Sequence, residues 1–149
     1  MKTSIFILLT VGLSFFLCSF SESQSKTYLL TVKVEKLQNS KGVVQIALYN
    51  KDCSIPDEDY KNYYRLEKAK IVNGKSEITF KNLPKGKYAV NILHDENNNS
   101  KIDKGLLLPK EGIGFSNYQT IGLRNRPNFS KASFELNTDK TVEVKVIYM

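Results

Sequence analysis

The chain reads as an all-β protein: one antiparallel β-sandwich of about seven strands, immunoglobulin-like or prealbumin-like, with one short helix and one long loop. Three observations predict it. Apolar residues recur with a period of two in stretch after stretch, turn signals separate those stretches, and one long segment shows no alternation at all. Period two places successive side chains on opposite faces of a strand, so alternation marks a strand buried on one side.

The first strand runs from Tyr28, with Tyr28, Leu30, Val32 and Val34 on one face and Leu29, Thr31, Lys33 and Glu35 on the other. Val44, Ile46 and Leu48 repeat the pattern, as do Ile78 with Phe80, and Tyr88, Val90 and Ile92. Lys41-Gly42, Asn73-Gly74 and Pro84-Lys85-Gly86 punctuate them. Asn-Gly is a strong two-residue hairpin signal, and here it predicts a hairpin between a strand near Lys68–Val72 and one at Ser76–Lys81. Ala132, Phe134 and Leu136, a turn at Asn137–Lys140, and then Val142, Val144, Val146 and Tyr148 predict a second hairpin. Ser54 to Leu66 is the one candidate helix, with Ser54 and Asp57 as a capping box and Asp57, Glu58 and Asp59 suited to a helix N-terminus. An irregular, tyrosine-rich loop is the alternative.

The start of the chain has the build of an export signal. Lys2 precedes an apolar run from Ile5 to Leu17, and small or polar residues follow from Ser19 to Ser25. The run is too short for a span of about 20 residues. This predicts a signal peptide at 1–23 with cleavage near 23–25, before Gln24 or Lys26, and one domain over 26–149. The destination is the exterior or the periplasm. A lipoprotein anchored at Cys18 is the alternative, although the residue before that cysteine is the bulky Leu17. No later stretch is apolar enough to span a bilayer. With Cys18 gone, Cys53 stands alone, so no internal disulfide holds the fold.

The net charge is +7, and loss of Lys2 with Glu22 leaves it unchanged. Its lysines are scattered and alternate with apolar residues, as solvent-facing strand positions do. A nucleic-acid surface would cluster them, so no nucleic-acid partner is expected.

The segment from Asp95 to about Asn128 lacks alternation, and loops of that length are usually functional. It opens with Asp95-Glu96-Asn97-Asn98-Asn99-Ser100-Lys101-Ile102-Asp103. Oxygen-bearing side chains at every second position match the start of a calcium loop, D-x-[DN]-x-[DN]-G. Asp95, Asn97 and Asn99 would supply side-chain oxygens, Lys101 its carbonyl, and Asp103 a direct or water-mediated ligand. The twelfth position, normally a bidentate Glu, is Leu106, so Ca²⁺ would bind weakly unless Glu111 folds back. An affinity on the order of 10⁻⁴ to 10⁻³ M is expected. An Asn-rich turn held by its own side-chain-to-backbone hydrogen bonds is the competing reading.

Three motifs together resemble a known bacterial family: Phe80-Lys81-Asn82-Leu83-Pro84-Lys85-Gly86-Lys87-Tyr88-Ala89-Val90, then His94 through Asp103, then Pro109-Lys110-Glu111-Gly112-Ile113-Gly114-Phe115-Ser116-Asn117. The family is domain of unknown function 2141. The resemblance implies a small exported β-sandwich, common in Gram-negative envelopes, with no assigned activity. Members usually carry Gly at the position of Ser100 and an aromatic residue at that of Ile113.

Two functions compete. The first is an exported non-enzymatic module that binds an envelope protein or glycan, with Tyr60, Tyr63, Tyr64 and Tyr118 as contact residues or as packing. The second is a small periplasmic hydrolase or lyase using His94 with Glu111 or Asp95. No nucleophile elbow, phosphate cradle or zinc motif accompanies His94.

Overall fold

A computed structural model of the chain describes residues 26–106 and 108–149. The signal sequence read over 1–23, Cys18 and the cleavage region lie outside the described residues, apart from Lys26. The strands are β1 (Thr27–Glu35), β2 (Val43–Tyr49), β3 (Arg65–Ala69), β4 (Lys75–Pro84), β5 (Gly86–Asp95), β6 (Ile113–Phe115), β7 (Phe134–Leu136) and β8 (Lys140–Lys145). One short helix, α1 (Phe129–Ala132), precedes β7 and is capped by the Asn128 side chain. The expected sandwich is present, with eight strands among the described residues.

One sheet has the order β4-β1-β8, and the other β3-β2-β5-β6, with β7 also on β5. β1 pairs antiparallel with β4 and parallel with β8. In the larger sheet β6 lies along Asn91–Leu93 and β7 along Gly86–Tyr88, so the two short strands follow one another on a single edge of β5. Between the sheets sit Leu30, Val32 and Val34 of β1, Val44, Ile46 and Leu48 of β2, and Val90 and Ile92 of β5. These are the alternating residues of the sequence pattern, now facing one another.

Two hairpins expected from turn chemistry are replaced by crossings between sheets. Asn73 and Gly74 do adopt left-handed φ values of 51° and 71°, and Val72 and Lys75 exchange both backbone hydrogen bonds. Beyond that one bridge the strands part, because β3 pairs with β2 and β4 with β1. At the C-terminus β7 pairs with β5 and β8 with β1, so the turn after Leu136 also changes sheets. A turn residue sets local direction; long-range pairing and burial decide which sheet a strand joins.

The helix expected over Ser54–Leu66 is absent. Cys53 and Tyr60 have positive φ, and the Asp57 carboxylate accepts from Lys61 N–H (3.0 Å), Asn62 N–H (2.7 Å) and the Tyr49 hydroxyl (3.2 Å). Asp57 thus clamps an irregular turn, the alternative the residues allowed. That segment and the one from Ile102 to Ala132 fold over the outer face of the larger sheet. Ala47, Tyr49, Ala89, Leu93, Ile113 and Phe115 are buried there beneath Ile55, Tyr60, Tyr118 and Phe129. β2 and β5 are therefore buried on both faces, which explains why Val43–Tyr49 is nearly continuously apolar.

Candidate functional site

The residues Asp95 to Asp103 leave the end of β5 and turn back over the outer face of the sheet. Asp95 is fully buried and anchors the turn: Oδ1 accepts from Asn99 N–H (3.0 Å) and Oδ2 from Ser100 N–H (2.9 Å). Asn98 and Ser100 take the left-handed φ values, 61° and 65°, that so tight a return requires. Ser100 stands where the calcium-loop pattern has Gly, and left-handed backbone costs a non-glycine residue roughly 1–2 kcal/mol. The Lys68 ammonium offsets the buried charge from 3.6 Å and donates to the Ser100 hydroxyl at 2.6 Å.

Three of the alternate side chains come together. Asn97 and Asn99 donate their amide N–H groups to the two oxygens of Asp103, at 2.6 and 2.9 Å. Their carbonyl oxygens accept from the backbone N–H of Asn99 (3.0 Å) and Lys101 (2.8 Å). Lys101 itself is exposed. Glu111 folds back onto the loop, with Oε1 accepting from Glu96 N–H (2.9 Å) and Oε2 from Asp103 N–H (3.2 Å). Burial pushes the Glu111 carboxyl above its ordinary range, against those two backbone bonds that pull it down.

The clamp at Asp95 has a counterpart. Asp57 holds the N–H groups four and five residues on, just as Asp95 does, and the residue three on is left-handed in both turns. What sets the Asp95 loop apart is the second carboxylate, Asp103, bracketed by two amides.

As for a cation, the donors are hard oxygens suited to Ca²⁺. Among the described residues no group of three or more His, Cys, Asp or Glu side chains is arranged to hold a metal ion. Any ion would thus depend on Asp95 and Asp103 with the Asn97, Asn99 and Lys101 oxygens. Three buried side chains at this sheet face have unmet polar atoms: both amide atoms of Gln45, the Tyr60 hydroxyl and Asn91 Oδ1 lack hydrogen-bond partners. Gln45 shares the face of Asp95, since Val43 lies opposite Asp95 and Gln45 is two residues further along β2. None of the three was marked out by spacing; a polar Gln45 inside an apolar strand was the available signal.

His94 points the other way, between the sheets, and is fully buried. Its Nε2 lies 3.0 Å from the Lys41 carbonyl, which fixes the proton there, and Nδ1 takes the Tyr148 hydroxyl at 2.8 Å. Neither Glu111 nor Asp95 bonds to it: Asp95 faces the opposite side of β5, and Glu111 is occupied by the loop. Ser116 donates to the Ala132 carbonyl (2.6 Å) and accepts from Val90 N–H (2.9 Å). Of the four tyrosines named as contacts, Tyr60 and Tyr118 are buried in the outer core, which corrects that reading for them. Tyr63 and Tyr64 are exposed, and Tyr64 rests between the Tyr88 ring and the Arg65 guanidinium.

Two sheets packed through one apolar layer, with the loops of one face folded into a second, define a small β-sandwich. The family described as "uncharacterized protein conserved in bacteria" (DUF2141) matches residues 32–145, and the chain belongs to it. No protein of curated function matches the chain. Among solved structures it is similar to a pilus-presented adhesin, Spy0125 (Cpa), at 16% identity and a TM-score of 0.25, over 82% of this chain and 27% of that one. So distant a likeness bears on neither site nor function. Among the described residues no helix is long and apolar enough to cross a membrane.

Proposed function

We propose that the protein is an exported, non-catalytic β-sandwich module whose Asp95–Asp103 loop takes Ca²⁺ weakly and which meets a protein or glycan of the cell envelope. The observation that carries this reading is the Asp103 carboxylate, bracketed by Asn97 and Asn99 while Asp95 clamps the turn below. Lys68 is the only cation in contact with these carboxylates among the described residues. A bound Ca²⁺ would supply charge compensation to Asp95 and Asp103 and hold the loop closed. Asp103 must release two amide donors to accept it, and that exchange keeps the affinity low. The export signal read from the sequence of residues 1–23 and the exposed Tyr63 and Tyr64 support the envelope role.

Thermal unfolding in chelator and in about 10 mM Ca²⁺ tests it. With an affinity in the expected range, Ca²⁺ adds about 1.4–2.7 kcal/mol, a rise of several degrees. Asp103→Asn is expected to abolish the rise, and Mg²⁺, which demands a tighter octahedral shell, to produce much less of it. Identical melting in chelator and Ca²⁺ would leave the loop a self-satisfied turn.

A further inference from the structure

We propose a small-molecule site on the outer face of the larger sheet, separate from the cation reading: a cavity of about 650 Å³ that takes an apolar ligand tipped with a hydroxyl. It needs no ion in the loop, although Ile102 reaches into it from the loop's end.

The floor is Asn91, in the middle of β5 and 1% exposed. Its partner across the ladder is Ala47, too small to fill the space beside it. The Tyr49 hydroxyl gives its proton to the Asp57 carboxylate at 3.2 Å, so that proton is not there for Asn91 to accept. That commits Asn91 Oδ1 as a buried acceptor with no donor. A native fold rarely leaves such an atom unpaired, and it marks where a ligand group belongs. Ile102, Ile113, Phe115 and Ile121 make the walls apolar. Leu108 and Leu123 form the lips, and they are 54% and 86% exposed, an apolar rim that solvent does not reward. Volume and lining match small-molecule sites, which are apolar with a few placed polar groups. The end of the ligand that meets the floor is a hydrogen-bond donor, because Asn91 Oδ1 is an acceptor. Of the two cations that line the cavity, Lys104 is paired with Glu58 and Arg126 is the other.

Titration of the ¹⁵N-labelled protein with 4-butylphenol and with 4-butylanisole tests the site. The two probes share an apolar body, and only the phenol can donate. The phenol is expected to give saturable amide shifts at Asn91, Ile113, Phe115 and Ile121, and the ether to bind about tenfold more weakly. Leu123→Asp, on an exposed lip, is expected to leave the melting midpoint unchanged and to weaken the phenol several-fold. Asn91→Leu is expected to erase the preference for the phenol; should it fail to fold, the two probes on the unaltered chain decide the matter. Equal affinities, shifts confined elsewhere, or no saturable shift up to about 5 mM would overturn the proposal.

Discussion

Replacing Gly42 with alanine is expected to lower the unfolding free energy by about 3–5 kcal/mol, at the extreme of what single substitutions do. The added Cβ would stand 1.9 Å from the Asp95 carbonyl oxygen and 2.8 Å from two backbone carbons, and Gly42 has a φ of +64°. No flexible side chain is there to move aside, so the backbone must shift where β5 ends and the Asp95 loop begins. Lys41, next in the chain, would carry its carbonyl away from His94. Gly122→Ala is the control: its new methyl meets nothing within 4 Å, and a change within about 0.5 kcal/mol is expected. Urea titration of both variants checks the pair. A Gly42→Ala protein as stable as its parent would mean that the segment before β2 does not rest on Asp95.

His94→Ala is expected to cost about 2–4 kcal/mol, combining a core cavity with loss of both ring hydrogen bonds. The ring joins Lys41, Tyr148 and, through that hydroxyl, the backbone N–H of Gln38 (3.2 Å). Removal leaves a partly buried hydroxyl and a backbone carbonyl short of a partner and loosens the C-terminal segment. Denaturant unfolding measures the loss. A catalytic His94 would behave differently, with the variant keeping its stability and losing turnover on a hydrolase or lyase substrate.

Much of the inter-sheet layer was legible because its cause is local. Leu30, Val32, Val34, Val44, Ile46, Leu48, Val90 and Ile92 alternate, and alternation reports one buried face directly. The outer layer was not. Ala47, Tyr49, Ala89 and Leu93 are covered by segments remote in sequence, and no pattern within β2 or β5 says what covers them. The same limit explains the two hairpins, since Asn73-Gly74 encodes the turn while the diverging strands answer to β1 and β2. The 54–66 segment failed as a helix because an aspartate that could cap one clamped a turn instead. The loop fared better. Asn97 and Asn99 meet Asp103, though through their amide N–H groups, while Asp95 holds backbone N–H groups of the turn, and Glu111 does fold back, also onto backbone N–H groups. Asn91 and the cavity above it were missed, and the signal was one polar residue amid Tyr88–Leu93.

If the Ca²⁺ proposal holds, oxygen donors of residues 95–103 share one ion. Calcium titration followed by backbone NMR tests it most directly. Saturable shifts of the Asn97, Asn99, Ser100, Lys101 and Asp103 amides are expected, with half-saturation on the order of 10⁻⁴ to 10⁻³ M and no such change in Asp103→Asn. Amides of the 95–103 loop that stay unmoved to about 10 mM Ca²⁺ would contradict it.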